Sequence, residues 1–325
     1  MCNRAQAVSD PINRVQLEQK MVDVKTVQFH SEGVTCEGDL YLPAGHGDGR
    51  LRPALVIGHG FTVARTSLVE EGRLFAEAGF ICLAIDYRHF GTSGGEPRGR
   101  LWPLQETEDF KSAIDWIEQL EGVDPGRIGI WGTSFGGGVV THVAAYDLRV
   151  RACVAQAPIL DGDAWLRSLN RESDYLAVRL HLTEARRARA QGGGDPLHSM
   201  TEPSPDGFNP LPADPAMIAD VMDWYGKTGD MLMHSAPHIT LESFERLGEF
   251  DATYTARKIA PRAYCIVQLS GHDVYHPNQP IQEAFKAAGE PKRMVTLHMD
   301  QLDCYKPGQR EQTIGAAIDF FNAHL

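Results

Sequence analysis

Nowhere does this 325-residue chain stay apolar for the roughly 18 residues that a membrane-spanning helix needs. An integral helical membrane protein is therefore not expected. Positive charge is scarce as well: 31 Lys and Arg stand against 43 Asp and Glu, a formal net charge of −12. Binding a phosphate backbone calls for a surplus of cations on one face. The longest basic run, EARRAR at 184–189, mixes glutamate and alanine into its arginines and reads as a solvated helix face, so no nucleic-acid partner is expected. Cysteine is sparse and unpatterned. The six (Cys2, Cys36, Cys82, Cys153, Cys265 and Cys304) show neither metal-ligand nor disulfide spacing. Cys82, Cys153 and Cys265 lie in apolar runs, where a thiol behaves as a small buried hydrophobe. The opening MCNRAQAVSDPINRVQ lacks the apolar core of a secretory signal, and a reducing cytoplasm is the expected setting.

What is present is an ordinary globular composition, 42% apolar and 23% charged, enough for a large core. Short apolar runs alternate with helical periods. KTVQFHS and CEGDLYLP alternate faces around Gly33 and predict an edge hairpin. RPALVIGHG (52–60), FICLAIDYR (80–88), RIGIWG (127–132), RACVAQAP (151–158), RAYCIVQLS (262–270) and RMVTLHM (293–299) read as buried strands. Helical periods fall at 66–80, 104–120, from about 134, at 281–289 and at 311–325. Strands alternating with helices predict a mostly parallel sheet with right-handed crossovers, an α/β fold. The polar segment 1–20 carries a sparse apolar stripe that predicts an N-terminal helix.

The rhythm breaks between Pro158 and Pro261. About 100 residues with Gly- and Pro-rich segments and several helical stretches cannot be a plain loop. We expect a helical cap at 159–255, inserted into a core built from 1–158 and 256–325, over the sheet edge where open α/β sheets bind ligands. Trp165, Tyr175, Phe208, Trp224, Tyr225 and Met217, Met222, Met231 and Met233 either line its pocket or pack the cap's own core.

GRIGIWGTSFGGG carries the sharpest chemical signal. Gly132-Thr133-Ser134-Phe135-Gly136 fits G-x-S-x-G, placed after a buried strand and before a helix, where the motif must sit. Such a turn forces the serine into a strained conformation and needs small residues two before and two after it. The hydroxyl then stands at a helix N-terminus, where developing negative charge is favoured. The loop GHGFTVAR follows the third strand, so the Phe61 and Phe135 N–H groups are the expected oxyanion donors.

GHGFTVARTSLVEEGRLFAEAGFICLAIDYRHFGTSGGEPRGR, GTSFGGG and the closing IDFFNAHL together resemble the α/β-hydrolase superfamily, in its dienelactone-hydrolase-like esterase branch. The resemblance spans nearly the whole chain outside the cap. It implies an eight-stranded core and a Ser-Asp-His triad in that chain order. It also implies acyl chemistry on a small-molecule carbonyl substrate (ester, lactone or thioester), with no metal or organic cofactor. A homodimer is the default oligomer.

By that resemblance the acid follows the seventh strand, where CIVQLSGHDVYHP supplies Asp273; the flanking His272 and His276 read as pocket-wall or surface histidines rather than bases. The histidine belongs after the eighth strand, where LHMDQLDCY matches the spacing with Leu302, Asp303 and Tyr305 but puts Gln301 in its place. An amide does not titrate in the usable range and cannot be a general base. Several explanations stay open at this point. Gln301 is a replacement that disables a hydrolase; or it is native to a lyase, isomerase or cyclase that polarises a carbonyl without an acyl-enzyme; or His298 swings in as the base. A fourth option is a non-catalytic binder of a small carbonyl compound.

Overall fold

The computed structural model describes residues 22–200, 204, 207–212 and 236–325. The helix expected within 1–20, and Trp224, Tyr225 and the methionines at 217, 222, 231 and 233, lie outside the described residues. In chain order the strands are β1 Asp23–Ser31, β2 Val34–Leu42, β3 Arg52–Gly58, β4 Ile81–Ile85, β5 Val123–Thr133, β6 Val150–Gln156, β7 Leu197–Ser199, β8 His238–Thr240, β9 Ala263–Leu269 and β10 Lys292–Leu297. The helices are α1 Val69–Glu77, α2 Pro103–Ile117, α3 Phe135–Tyr146, α4 Gly162–Leu169, α5 Glu172–Ala190, α6 Leu241–Gly248, α7 Asn278–Ala287 and α8 Gln309–His324.

Eight strands form one sheet in the order β1-β2-β4-β3-β5-β6-β9-β10. The β1–β2 and β2–β4 pairs are antiparallel and the rest parallel, as the alternating pattern predicts. The edge hairpin closes through Glu32 and Gly33, both at positive φ (46° and 84°). That is the two-residue turn whose twist suits a hairpin, and Gly33 takes its second place at no steric cost.

The central strands are apolar throughout because both faces are covered. On one face Trp131, Phe75, Phe80 and Phe321 meet edge to face at ring separations near 6.0 Å, which seats α1 and α8. On the other, Phe110, Ile114, Val139, Val140 and Val143 from α2 and α3 pack with Ile130 and Ile266. Cys36, Cys82, Cys153, Cys265 and Cys304 are free and buried, so the three expected to act as small hydrophobes do so. Among the described residues no helix is long and apolar enough to cross a membrane.

The parallel strands β3–β6, β9 and β10 all point their carboxyl ends toward one edge, where the loops that can carry chemistry gather. Two buried ion pairs fix those loops. The Asp86 carboxylate, 1% exposed, accepts from the Arg65 and Thr92 N–H groups and pairs with the Arg65 guanidinium. Asp109 is fully buried and accepts from Arg88, whose other nitrogens reach Ser31 and Glu32. These pairs account for Asp86 and Arg88 of the DYRHFGTSGG stretch, whose charges are spent on ordering loops.

Between β6 and β9 the described chain contains the helices α4, α5 and α6. It also contains a small antiparallel pair, β7–β8, that the sequence pattern does not announce, because three-residue strands carry too few residues to show a period.

Candidate active site

Ser134 sits between β5 and α3 with φ 54° and ψ −123°, the strained turn that G-x-S-x-G predicts. Its main chain is held from both sides: its N–H donates to Gln156 O at 2.8 Å and its carbonyl accepts from Ile159 N–H at 2.9 Å. Glycine is required on either side. A methyl group on Gly132 would run into the Gly136 carbonyl, and one on Gly136 into the His59 carbonyl. Gly60 lies so close that a methyl there would stand 3.2 Å from Ser134 Cβ. The loop after β3 is thus pressed against the serine.

That loop carries Phe61. The Gly60–Phe61 peptide is fixed by His59, whose Nδ1–H donates to Gly60 O at 2.9 Å. In a trans peptide the C=O and the following N–H point opposite ways, so anchoring the carbonyl also sets the direction of the Phe61 N–H. Burial lowers the His59 pKa and keeps the ring neutral, which suits one donor at Nδ1. Phe135 opens α3, where the first N–H groups have no partner within the helix.

The imidazole on Ser134 is that of His276. Its Nε2 lies 3.1 Å from Ser134 Oγ and its Nδ1 lies 2.7 Å from Asp273 Oδ2. A carboxylate only accepts, so Nδ1 carries the proton and Nε2 is left to accept from the serine hydroxyl. Asp273 Oδ1 accepts in addition from the Tyr275 and His276 N–H groups, each at 3.0 Å. Burial alone pushes the Asp273 carboxyl up. Attraction to the His276 ring and these hydrogen bonds outweigh it and hold the carboxyl below its ordinary range. With side chains only 6% and 9% exposed, the pair is preorganised in a largely dry setting.

The geometry therefore corrects the sequence reading at one place. Ser134 and Asp273 come together as expected, but the ring between them belongs to His276, read from sequence as wall or surface. Gln301 is 5% exposed, and its amide oxygen accepts from Val274 N–H at 2.9 Å. His298 is exposed, one residue beyond β10. His272 is exposed and donates its main-chain N–H to Asp300 Oδ1. The signal for His276 is Asp-x-x-His closed by Pro277. An aspartate that accepts main-chain N–H groups two and three residues on bends the chain back, and the fourth residue's side chain lands on the same carboxylate. Tyr305, whose spacing matched the family pattern, meets Thr133 Oγ1 at 2.8 Å, one residue before the nucleophile.

Around the serine stands an aromatic wall. Phe61 packs on Trp165 from α4 (5.1 Å between centroids) and on Phe135 (6.4 Å), and Phe135 meets Phe250 (5.9 Å). The insertion thus contributes Trp165 to the site's surroundings. Tyr175 and Phe208 instead take the structural role: Tyr175 is buried with its hydroxyl on Asp163, and Phe208 stacks on His181 at 3.9 Å. A cavity of about 390 Å³ opens beside the loop that follows Phe61, between Ala64, Arg65, His89, Phe90 and Pro237. A second, of about 230 Å³, lies among α4, α5 and α6; neither cavity is lined by Ser134, Asp273 or His276.

Comparison with known proteins agrees with this architecture. Residues 32–263 match the family described as X-Pro dipeptidyl-peptidase (S15 family). The chain is 40% identical over 145 residues to the quorum-quenching protein AidA of Acinetobacter baumannii, covering 44% of this chain and 47% of that protein. It thus spans about half the length of the first curated relatives it matches. Thiohydrolase aneE of Aspergillus aculeatus is 28% identical over 271 residues, 81% of each chain. The crystal structure of the alpha/beta hydrolase GrgF from Penicillium superposes with a TM-score of 0.76 at 25% identity, covering 93% of this chain and 99% of that one. It is at the level of the superfamily that these findings and the sequence resemblance coincide.

Proposed function

From the premise that this chain belongs to the X-Pro dipeptidyl-peptidase (S15) family and is an α/β-hydrolase, we propose that it is a serine enzyme of acyl transfer. Its substrate is a small to medium ester, lactone or thioester, and the acyl group passes to water or to another acceptor. The observation that carries this reading is the continuous line from Ser134 Oγ through the His276 ring to the Asp273 carboxylate.

Each part has a defined task. Ser134 Oγ attacks the carbonyl carbon while His276 Nε2 takes its proton. Asp273 holds the ring in the tautomer that leaves Nε2 free, and stabilises the imidazolium that forms. The carbonyl oxygen becomes an oxyanion facing the Phe61 and Phe135 N–H groups, donors worth roughly 3–4 kcal/mol of barrier each. Collapse of the tetrahedral species breaks the bond to the leaving oxygen or sulfur, which departs with the proton from His276. The acceptor then repeats the sequence in reverse and frees Ser134.

The insertion at 159–255 is read as a cap whose Trp165 narrows the acyl side, favouring apolar acyl groups. The relative named a thiohydrolase supports the thioester arm. A non-hydrolytic lyase, isomerase or cyclase is favoured only where no base reaches the serine, and His276 is a candidate base.

The test is turnover of p-nitrophenyl acetate and of an acyl N-acetylcysteamine thioester by the wild type and by Ser134→Ala. The wild type should show a burst of leaving group followed by steady turnover, and the variant neither. Turnover by Ser134→Ala equal to the wild type would reject the reading.

A further inference from the structure

We infer that Gln301 is a positioning residue for the base: by taking the Val274 N–H, its side-chain amide oxygen sets the path of the loop that holds His276 on Ser134. The inference rests on the triad reading above and adds a residue to it.

The loop between β9 and α7 must bring two side chains, Asp273 and His276, to one serine. Three consecutive main-chain N–H groups inside it are accounted for. Those of Tyr275 and His276 go to Asp273 Oδ1 at 3.0 Å each. That of Val274 points the other way and goes to Gln301 Oε1 at 2.9 Å. Asp273 therefore shapes the turn from within, and Gln301 fixes it from outside. The segment after β10 is stitched to the same loop at further points. Gln301 N–H donates to His272 O at 3.1 Å, His272 N–H to Asp300 Oδ1 at 2.7 Å, and Gly271 N–H to Met299 O at 3.0 Å. Gln301, itself 5% exposed, is the member of this set that reaches past the acid, to Val274, the first of the two residues between Asp273 and His276. Without this acceptor the Val274 N–H loses its tie to the segment after β10, in a turn whose path sets the 3.1 Å contact to Ser134. The place where a histidine was expected thus serves the histidine that does the work.

Reach and chemistry define the test. Methionine matches glutamine in length but offers no oxygen. Glutamate matches it and keeps an acceptor. Asparagine is polar but one methylene, about 1.5 Å, too short. On p-nitrophenyl acetate, Gln301→Met should lower kcat by about 10–100-fold, the cost of a base displaced by around an ångström, with KM within about twofold. Gln301→Asn should fall likewise, and Gln301→Glu should stay within about threefold of the wild type. The Asn variant repeats the comparison with a polar side chain should the Met variant misfold. Wild-type kcat in Gln301→Met or Gln301→Asn overturns the inference, and so does equal loss in all three variants, which would mean that only packing is at stake. Ser134→Ala, assayed beside them, separates the two readings. If it is dead while Gln301→Met is unimpaired, only the role of Gln301 falls; if it is active, the triad reading falls first.

Discussion

Replacing His276 by alanine lowers kcat/KM by about four orders of magnitude or more, whereas Gln301→His brings no gain in activity. The first half follows from what the ring does. Without it Ser134 keeps its proton, and the leaving group departs unprotonated. Only the oxyanion donors and substrate binding then remain to accelerate the reaction. A loss of 10⁴ corresponds to about 5.5 kcal/mol of transition-state stabilisation, more than either oxyanion donor supplies alone. The second half follows from occupancy. The Ser134 hydroxyl already has its acceptor at 3.1 Å and Asp273 its ring at 2.7 Å, so an imidazole added at position 301 would find both partners taken. It would also give up the amide oxygen on Val274. Steady-state kinetics on one activated ester decide both halves. A large gain from Gln301→His, with His276→Ala near the wild type, would restore the reading in which position 301 is the seat of the base.

Asp273→Asn carries the next largest effect, a fall in kcat of about 10³–10⁴-fold with little change in KM. The carboxylate accepts from three donors at once, the His276 ring and the N–H groups of residues 275 and 276. An amide in its place presents one acceptor oxygen and one donor nitrogen. With the oxygen kept on the main-chain N–H groups, the NH₂ faces Nδ1. The ring must then put its proton on Nε2, where it can no longer accept from Ser134. The fold of the turn survives this change because the oxygen still closes it, so circular dichroism and melting temperature should stay near the wild type while turnover collapses. Loss of both together would mean that Asp273 is chiefly a turn residue.

The parts of this site that the sequence disclosed are those set by local rules. G-x-S-x-G is legible because the bend forbids side chains at Gly132 and Gly136, where any Cβ meets a carbonyl. Asp273 is legible because it follows a fully buried strand whose end is marked by Ser270 and Gly271. The sheet is legible because its central strands are buried on both faces and so are apolar throughout. His276 is not legible because its role depends on the path of a short loop and on a hydroxyl 142 positions away, and neither leaves a periodic trace. Chain order pointed to residue 301, yet chain order is a habit of connectivity, while the chemistry asks only that a ring reach both Ser134 and Asp273. A loop with Asp-x-x-His satisfies that from one side of the site. In the insertion, helices announced themselves by period. The roles of Trp165 beside Phe61 and of Phe208 beneath His181 could be told apart only once the chain was folded.

The central claim is that His276 makes Ser134 a nucleophile. The most direct measurement is the rate at which a fluorophosphonate adds to Ser134, followed by intact mass for the wild type and for His276→Ala. A single adduct is expected on the wild type, and at least a thousandfold slower addition to the variant. Equal rates of labelling in the two proteins would contradict it.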